Sequence, residues 1–367
     1  MKDKLKLGVM FGGRSGEHDV SLMSARSVIS VINPEKFEVV EIGITRQGEW
    51  FVGENLLSKL QQERFDDLTP AFLLPSPQNP GIYTRKNGEM NLYAKLDVVF
   101  PVMHGTYSED GTLQGLLELA DIAYVGAGVL GSSVCMDKGL FKDVMITHQI
   151  PTLAYKVLNR TQIETDLDEC LQLAEAIGDY PLFTKPANLG SSVGISKCTS
   201  RSDLMEGLMQ AALYDRRIVV EKGIGDAREI EISILGNENP EASVPGEIIP
   251  KDIFYTYSEK YINDTAELLI PADLPVEHVT QMQSLAIKAY KATDCAGMAR
   301  VDFLLDRASG EIFLNEINTI PGFTKISMYP KLWQASGMSY SALIETLIAL
   351  ALERKAQRDK TEREYRG

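Results

Sequence analysis

Residues 299–322 read Ala-Arg-Val-Asp-Phe-Leu-Leu-Asp-Arg-Ala-Ser-Gly-Glu-Ile-Phe-Leu-Asn-Glu-Ile-Asn-Thr-Ile-Pro-Gly. Two runs rich in β-branched and aromatic residues flank a short turn ending in Gly310, the pattern of a β-hairpin. Side chains alternate between the faces of a strand. With Asp306 opposite Gly310, the odd positions Val301, Phe303, Leu305, Phe313 and Ile317 make a core face. The even face then carries Arg300 across from Glu316, Asp302 diagonal to Glu316, and Asn318 two residues on.

A guanidinium, two carboxylates and a carboxamide therefore converge. They read either as a salt-bridged strand pair closing a sheet or as oxygen ligands for a hard divalent cation such as Mg²⁺. Asn318 favours the second reading, because a strand that needs only solubility is served as well by Lys or Thr. A pair of glycosidase carboxylates would leave Asn318 and Arg300 without a role.

The chain has 367 residues, 44% hydrophobic and 24% charged, which is ordinary globular composition for two or three domains. Its four cysteines, Cys135, Cys170, Cys198 and Cys295, are scattered without a Cys-x-x-Cys pair. That argues against zinc and against a disulfide framework, and it suits a reducing cytoplasm. The opening apolar run is too short for a signal peptide. A net charge of -14 disfavours nucleic acid and anionic membranes, so an anionic substrate needs a local cluster of Lys and Arg.

In chain order, residues 5–10 are a buried strand feeding Phe11-Gly-Gly-Arg-Ser-Gly-Glu17-His-Asp19, with a helix predicted over 20–32. Such a strand, glycine loop and helix suit an anion, but the spacing is not that of a dinucleotide fold. Glu17 is a candidate site residue or a first-turn complement to the helix dipole. Residues 47–95 read as a surface insertion of short strands and one helix. A strand at 96–103 leads into His104-Gly-Thr-Tyr-Ser-Glu109-Asp110-Gly111 and a helix over 112–120. His104 thus lies at a strand's carboxyl end, where open α/β sheets place ligands.

One helix is expected over 132–148, containing Lys138, with Ile150-Pro151 starting a strand, and an amphipathic helix over 165–178. Lys185 ends the strand 181–185 and precedes Gly190-Ser191-Ser192-Val-Gly194. That loop reads as a phosphate cover or as a tight Gly/Ser turn; the lysine precedes the glycines, so it is no P-loop. The strand 217–223 leads to Arg228-Glu229-Ile-Glu231, and the polar, aromatic stretch 245–271 reads as a lid. Helices are expected over 276–293 and 339–353, with a frayed, inert tail from Arg354.

The lysine-then-glycine loop, the Arg-Val-Asp hairpin and the Asn-Glu-Ile-Asn-Thr-Ile-Pro-Gly run resemble ATP-grasp ligases. With Phe-Gly-Gly-x-Ser-x-Glu-His near the start and His104-Gly105 before Glu109-Asp110-Gly111, nearly the whole chain resembles the D-alanine–D-alanine ligase family. Phe183-Thr184 beside Lys185 is a departure, since an apolar residue is commoner next to that lysine. The resemblance implies an α/β protein, α+β in its ATP-grasp part. A Rossmann-like domain would span 1–126, and ATP-grasp subdomains 127–223 and 224–367.

The resemblance also implies roles. Glu316 would be shared by two Mg²⁺ (or Mn²⁺) ions, with Asp302 on one and Asn318 on the other. Lys138, Lys185 and Lys260 would hold ATP phosphates, and Glu221, the backbone of Lys222 to Ile224, and Glu229 would take adenine and ribose. Glu17 would bind the ammonium of the first D-alanine in a set with Ser191 and Tyr261, and His104 would sit by the same subsite. Ser327 would meet the second D-alanine's carboxylate, while Arg300 and the Gly322 N–H hold the oxyanion. Implied partners are ATP and D-alanine, with a homodimer and no nucleic acid or membrane. Tyr261 favours D-alanine over D-lactate as second substrate, and D-alanine–D-lactate and D-alanine–D-serine ligases are the near alternatives. A nucleotide-dependent oxidoreductase and a non-catalytic ATP-binding regulator are the readings from other classes.

Overall fold

A computed structural model describes residues 4–249 and 267–362. They form three sheets with helices, an α/β architecture. The first sheet contains β1 (Leu5–Gly12), β2 (Phe37–Ile44), β3 (Trp50–Val52), β4 (Thr69–Leu73), β5 (Gly81–Lys86), β6 (Glu89–Lys95), β7 (Val98–Pro101) and β8 (Ala123–Tyr124). Their order is β6-β5-β4-β3-β2-β1-β7-β8, with β1 parallel to both β2 and β7. β1 is buried along most of its length, as its continuous apolar run requires of a strand covered on both faces. The stretch 47–95 supplies β3 to β6 and the helix Leu56–Gln61. It extends the sheet in antiparallel fashion and shares its core, because Val52, Ala71 and Ile82 pack with Met10 and Ile42.

β1 ends at Gly12, whose φ of 87 places it in the left-handed region; a Cβ there would stand 2.1 Å from the Ile44 carbonyl oxygen. Only glycine lets the loop leave β1 beside β2. The following helix, His18–Val31, starts two residues earlier than the periodicity predicts.

The second sheet has the order β11-β10-β12-β9, built from β9 (Tyr155–Asn159), β10 (Leu182–Pro186), β11 (Ser196–Cys198) and β12 (Arg217–Lys222). Ahead of it, the helix expected over 132–148 is two helices, Val129–Met136 and Lys138–Thr147. Asp137 breaks them: its side chain accepts from the N–H groups of Gly139 and Leu140, an N-cap that starts a new helix. The strand expected at Ile150-Pro151 begins only at Tyr155. The single helix expected over 165–178 is likewise two, Arg160–Thr165 and Leu167–Glu175, the second capped by Asp166.

The third sheet has the order β16-β15-β13-β17-β18, with β14 on β13. Its strands are β13 (Ala227–Gly236), β14 (Glu241–Ala242), β15 (Gly246–Ile249), β16 (Glu267–Leu269), β17 (Gly297–Asp306) and β18 (Ile312–Asn318). The hairpin β17–β18 forms, in a different register from the predicted one. Asp302 faces Glu316 and Arg300 faces Asn318, while Phe303 faces Leu314. Asn315 is the extra residue of a bulge, which resets the alternation of β18. Ile312 and Leu314 therefore enter the core with Val301, Phe303, Leu305 and Ile317, and Phe313 is only half-buried.

The last helix, Tyr340–Arg358, packs Leu343, Leu347 and Ile348 against Leu7, Val9 and Phe100 of the first sheet. Its end is not frayed, contrary to expectation. Arg354 stacks on Tyr124 at 4.1 Å, Lys355 meets Asp121 at 3.1 Å, and Arg358 reaches Asp121 at 2.7 Å and also Glu118. Basic residues in a last turn also complement the helix dipole. Phe323, just after the hairpin, packs edge-on against Phe100 at 5.5 Å, which draws the end of β18 onto the first sheet. No single helix among the described residues is long and apolar enough to cross a membrane.

Candidate active site

A cavity of about 530 Å³ opens where the three sheets meet, and its wall draws residues from each. The segments after β1 and β7 supply Glu17, His104 and Glu109; the second sheet and the elements beside it supply Lys138, Lys185 and Ser191; the hairpin of the third supplies Arg300, Asp302 and Glu316. Glu17 is buried at the start of its helix, and Ser191, 174 residues further on, donates its hydroxyl to Glu17 Oε1. Ser191 and Ser192 both hold left-handed φ, 54 and 60, a conformation that costs non-glycine residues about 1 kcal/mol or more each. Lys138 Nζ donates to Leu189 O at 2.7 Å and tethers the same loop.

His104 is fully buried. Its Nδ1 lies 3.0 Å from Ile320 O and its Nε2 3.2 Å from Ser24 Oγ. A carbonyl only accepts, so Nδ1 carries the proton and Nε2 accepts from the serine. Burial lowers the pKa of the ring, more than Glu17 and the Ile320 carbonyl raise it. The neutral ring thus bridges the first sheet and the loop after β18.

On the hairpin, Arg300 forks onto Asp302, with Nε to Oδ1 at 2.7 Å and Nη2 to Oδ2 at 2.6 Å. Its Nε also lies 3.1 Å from Glu231. Asn318 Nδ2 donates to Asp302 Oδ2 at 2.9 Å. Asp302, Glu316 and Asn318 are half-buried and on the cavity wall. Two carboxylates and a carboxamide on one sheet face are hard oxygen donors, which fit Mg²⁺ or Mn²⁺ and not a thiophilic metal.

Residues 6–127 match the family described as D-ala D-ala ligase N-terminus, and residues 144–349 the one described as D-ala D-ala ligase C-terminus. A D-alanine–D-alanine ligase from Thermoanaerobacter sp. (strain X514) is 52% identical, covering 96% of this chain and 97% of its own. The chain belongs to the D-alanine–D-alanine ligase family. Its fold matches the D-alanine–D-alanine ligase from Coxiella burnetii, with TM-score 0.83, 35% identity, and 97% and 96% of the two chains covered. It matches the VanG D-Ala:D-Ser ligase from Enterococcus faecalis equally well, with TM-score 0.85, 36% identity, and 95% and 100% covered.

Seen within this ligase family, most of the predicted site residues share the cavity. Lys222, Ile224, Glu229 and Gly322 line it with those already named. Glu221 lies on the wall too, but its carboxylate sits between two ammonium groups, Oε1 on Lys142 and Oε2 on Lys185. Burial raises the Glu221 pKa, and the lysines, Lys142 foremost, overcome this and hold it at about 2. Ser327 instead accepts from Thr324 N at 3.0 Å and is not on the cavity wall. Lys260 and Tyr261 lie outside the described residues. Phe183 fits because residue 223 is Gly: a Cβ there would stand 2.6 Å from the Phe183 ring. The neighbouring Thr184 is fully buried.

Two groups on the cavity wall, Glu109 and Glu231, and one behind it, Lys142, went unassigned in the sequence. Lys142 is one helical turn from Lys138, a spacing that could have shown it. Glu231 shares a strand face with Glu229 by simple alternation. Glu109 is half-buried, with Gly105 N–H donating to its Oε2 at 2.7 Å; desolvation, then the charge of Glu17, raises its pKa to about 8. Only the tertiary fold puts Glu109 next to Glu17.

Proposed function

We propose that this protein joins two D-alanines at the expense of ATP, through an acylphosphate, to give D-alanyl-D-alanine for peptidoglycan precursor synthesis. The observation that carries the reading is a single cavity with three kinds of wall. One holds the Glu17–Ser191 pair, one the lysines Lys138 and Lys185, and one the Arg300, Asp302, Glu316, Asn318 cluster. A carboxylate-nucleophile ligase needs each of them at one place.

In this reading Glu17 receives the ammonium of the first D-alanine, and Ser191 keeps that carboxylate pointed into the cavity. His104, neutral and bonded on both nitrogens, fixes the wall of this subsite. Lys138 and Lys185, with Lys260, hold the ATP phosphates. Glu221, the backbone of Lys222 to Ile224, and Glu229 border the adenine and ribose; Lys142 holds Glu221 for that task. Asp302, Glu316 and Asn318 would hold two Mg²⁺ or Mn²⁺ ions, which neutralise the charge repelling an attacking carboxylate from a polyphosphate. The carboxylate of the first D-alanine attacks the γ-phosphorus, ADP leaves, and an acylphosphate forms. The free amine of the second, placed with Ser327 near its carboxylate, attacks the acyl carbon; Arg300 and the Gly322 N–H hold the oxyanion until phosphate departs. Donors of this kind contribute about 2.7 to 4 kcal/mol each. Tyr261 in the segment 245–271 completes the set that excludes water.

We further propose domains at 1–126, 127–223 and 224–367, a cytoplasmic homodimer, and no nucleic-acid or membrane partner. The likeness to a D-Ala:D-Ser ligase supports a second reading of the second subsite, for D-serine or D-lactate. Phosphate release with D-alanine alone, against D-alanine plus D-serine or D-lactate, tests both. Release with D-alanine alone and a D-alanyl-D-alanine product supports the first; release only with the mixed pair overturns it.

A further inference from the structure

We propose that Glu231 is a positioning residue that retains Arg300 when a metal ion claims Asp302. The proposal rests on the roles given above to Arg300 and Asp302. β13, β17 and β18 lie side by side, and their register sets Glu231 opposite Asp302 and Asp302 opposite Glu316. Three carboxylates thus form a row across the sheet, all on the cavity wall. Like charges directly opposed across strands repel, so the row needs a cation. Arg300 supplies one: its guanidinium forks onto Asp302 and also approaches Glu231 Oε2 at 3.1 Å.

A forked guanidinium occupies both oxygens of Asp302, the same oxygens a metal ion needs. The ion and Arg300 therefore compete for Asp302. The Arg300 side chain is only 16% exposed, and a cation so placed needs an anion beside it. Glu231 is that anion: its side chain is 8% exposed and already in contact with Nε. With Glu231 present, Arg300 can yield Asp302 to the ion and stay over the hairpin, where the oxyanion forms. With Glu231 neutralised, Arg300 loses the anion that can hold it while Asp302 turns to the ion, and the competition turns against the metal.

The test uses the full chain without turnover. ADP affinity is measured by calorimetry with Mg²⁺ and again with EDTA, and the ratio of the two gives the metal's contribution. Glu231→Gln is expected to reduce that ratio by about tenfold, the scale of losing a close charge partner, with the EDTA affinity unchanged. In an Arg300→Met background the competitor is gone, so adding Glu231→Gln is expected to leave the ratio as it was. An equal loss in both backgrounds would mean that Glu231 acts on the ion directly, and it overturns the proposal, as does no loss in the otherwise native chain. A native ratio of one overturns the metal assignment and this proposal together. If Glu231→Gln fails to fold, Glu231→Asp, which withdraws the charge by one methylene, is read the same way with a smaller loss.

Discussion

Lys142 Nζ and Glu221 Oε1 form a buried ion pair between the helix Lys138–Thr147 and β12, and Lys185 from β10 meets the other oxygen of the same carboxylate. One anion thus joins three elements around the nucleotide side of the cavity. Removing Lys142 leaves Glu221 with Lys185 alone in a poorly solvated place, a smaller loss than the roughly 3 kcal/mol of a buried charge left with no partner.

Lys142→Met is accordingly expected to lower stability by about 1.5–3 kcal/mol, the scale of one hydrogen bond to a charged group, and to weaken ATP binding more than it slows turnover of bound substrate. The acid limb gives a second readout. Because the folded Glu221 pKa is depressed, its contribution is present above 4.5, its ordinary value, and is lost as pH falls toward about 2. Urea unfolding from pH 5 to 2 should show the variant losing less over that window than the native chain; equal losses would remove Lys142 as the cause.

Glu109→Gln addresses the opposite case. Between pH 4.5 and about 8 the folded chain holds a proton on Glu109 that the unfolded chain has released, so stability falls as pH rises through that window. Glutamine mimics the protonated acid. The variant should be less sensitive to pH than the native chain when melting temperatures are compared at pH 5, 6.5 and 8, and parallel profiles would contradict the assignment.

Glu316→Gln should abolish ligation with the fold intact, because one charge is lost where two cations are to be held. Normal turnover at saturating Mg²⁺, together with a native circular-dichroism spectrum, would be incompatible with its proposed role.

Arg300→Lys should reduce turnover by about tenfold or more, since a point ammonium cannot reproduce a planar fork. ATP affinity should change little. Collapse of nucleotide binding with surviving turnover would make Arg300 a structural partner of Asp302 and Glu231 instead.

Truncation after Glu353 removes Arg354, Lys355 and Arg358 from Tyr124, Asp121 and Glu118. These ion pairs are partly exposed, so the expected loss is modest, about 1–3 kcal/mol with the stacking included. A melting temperature equal to that of the full chain would show the helix end to be inert after all.

The sequence by itself determined much that is local. The apolar run of β1, the hairpin of β17 and β18, and the strand ending at Lys185 are each signalled by periodicity and turn residues within about ten positions. The residue types at 302, 316 and 318 offer hard oxygen donors, because that chemistry needs no neighbour to be recognised. Register was not local. The bulge at Asn315 exchanges Phe313 for Leu314 in the core and moves Asp302 from diagonal to opposite Glu316; hydrophobic residues occupy both parities there, so alternation alone admits either pairing. Helix breaks at Asp137 and Asp166 carried cap residues that the wider apolar periodicity outweighed. Ser191 on Glu17 and Glu109 beside Glu17 are contacts between distant segments, and no spacing rule reaches across them. The pairing of β1 with β7 brings Glu109 beside Glu17, and packing of the second sheet onto the first brings Ser191 to Glu17; the pKa of Glu109 follows from that packing because desolvation depends on what surrounds a carboxylate, not on what precedes it in the chain.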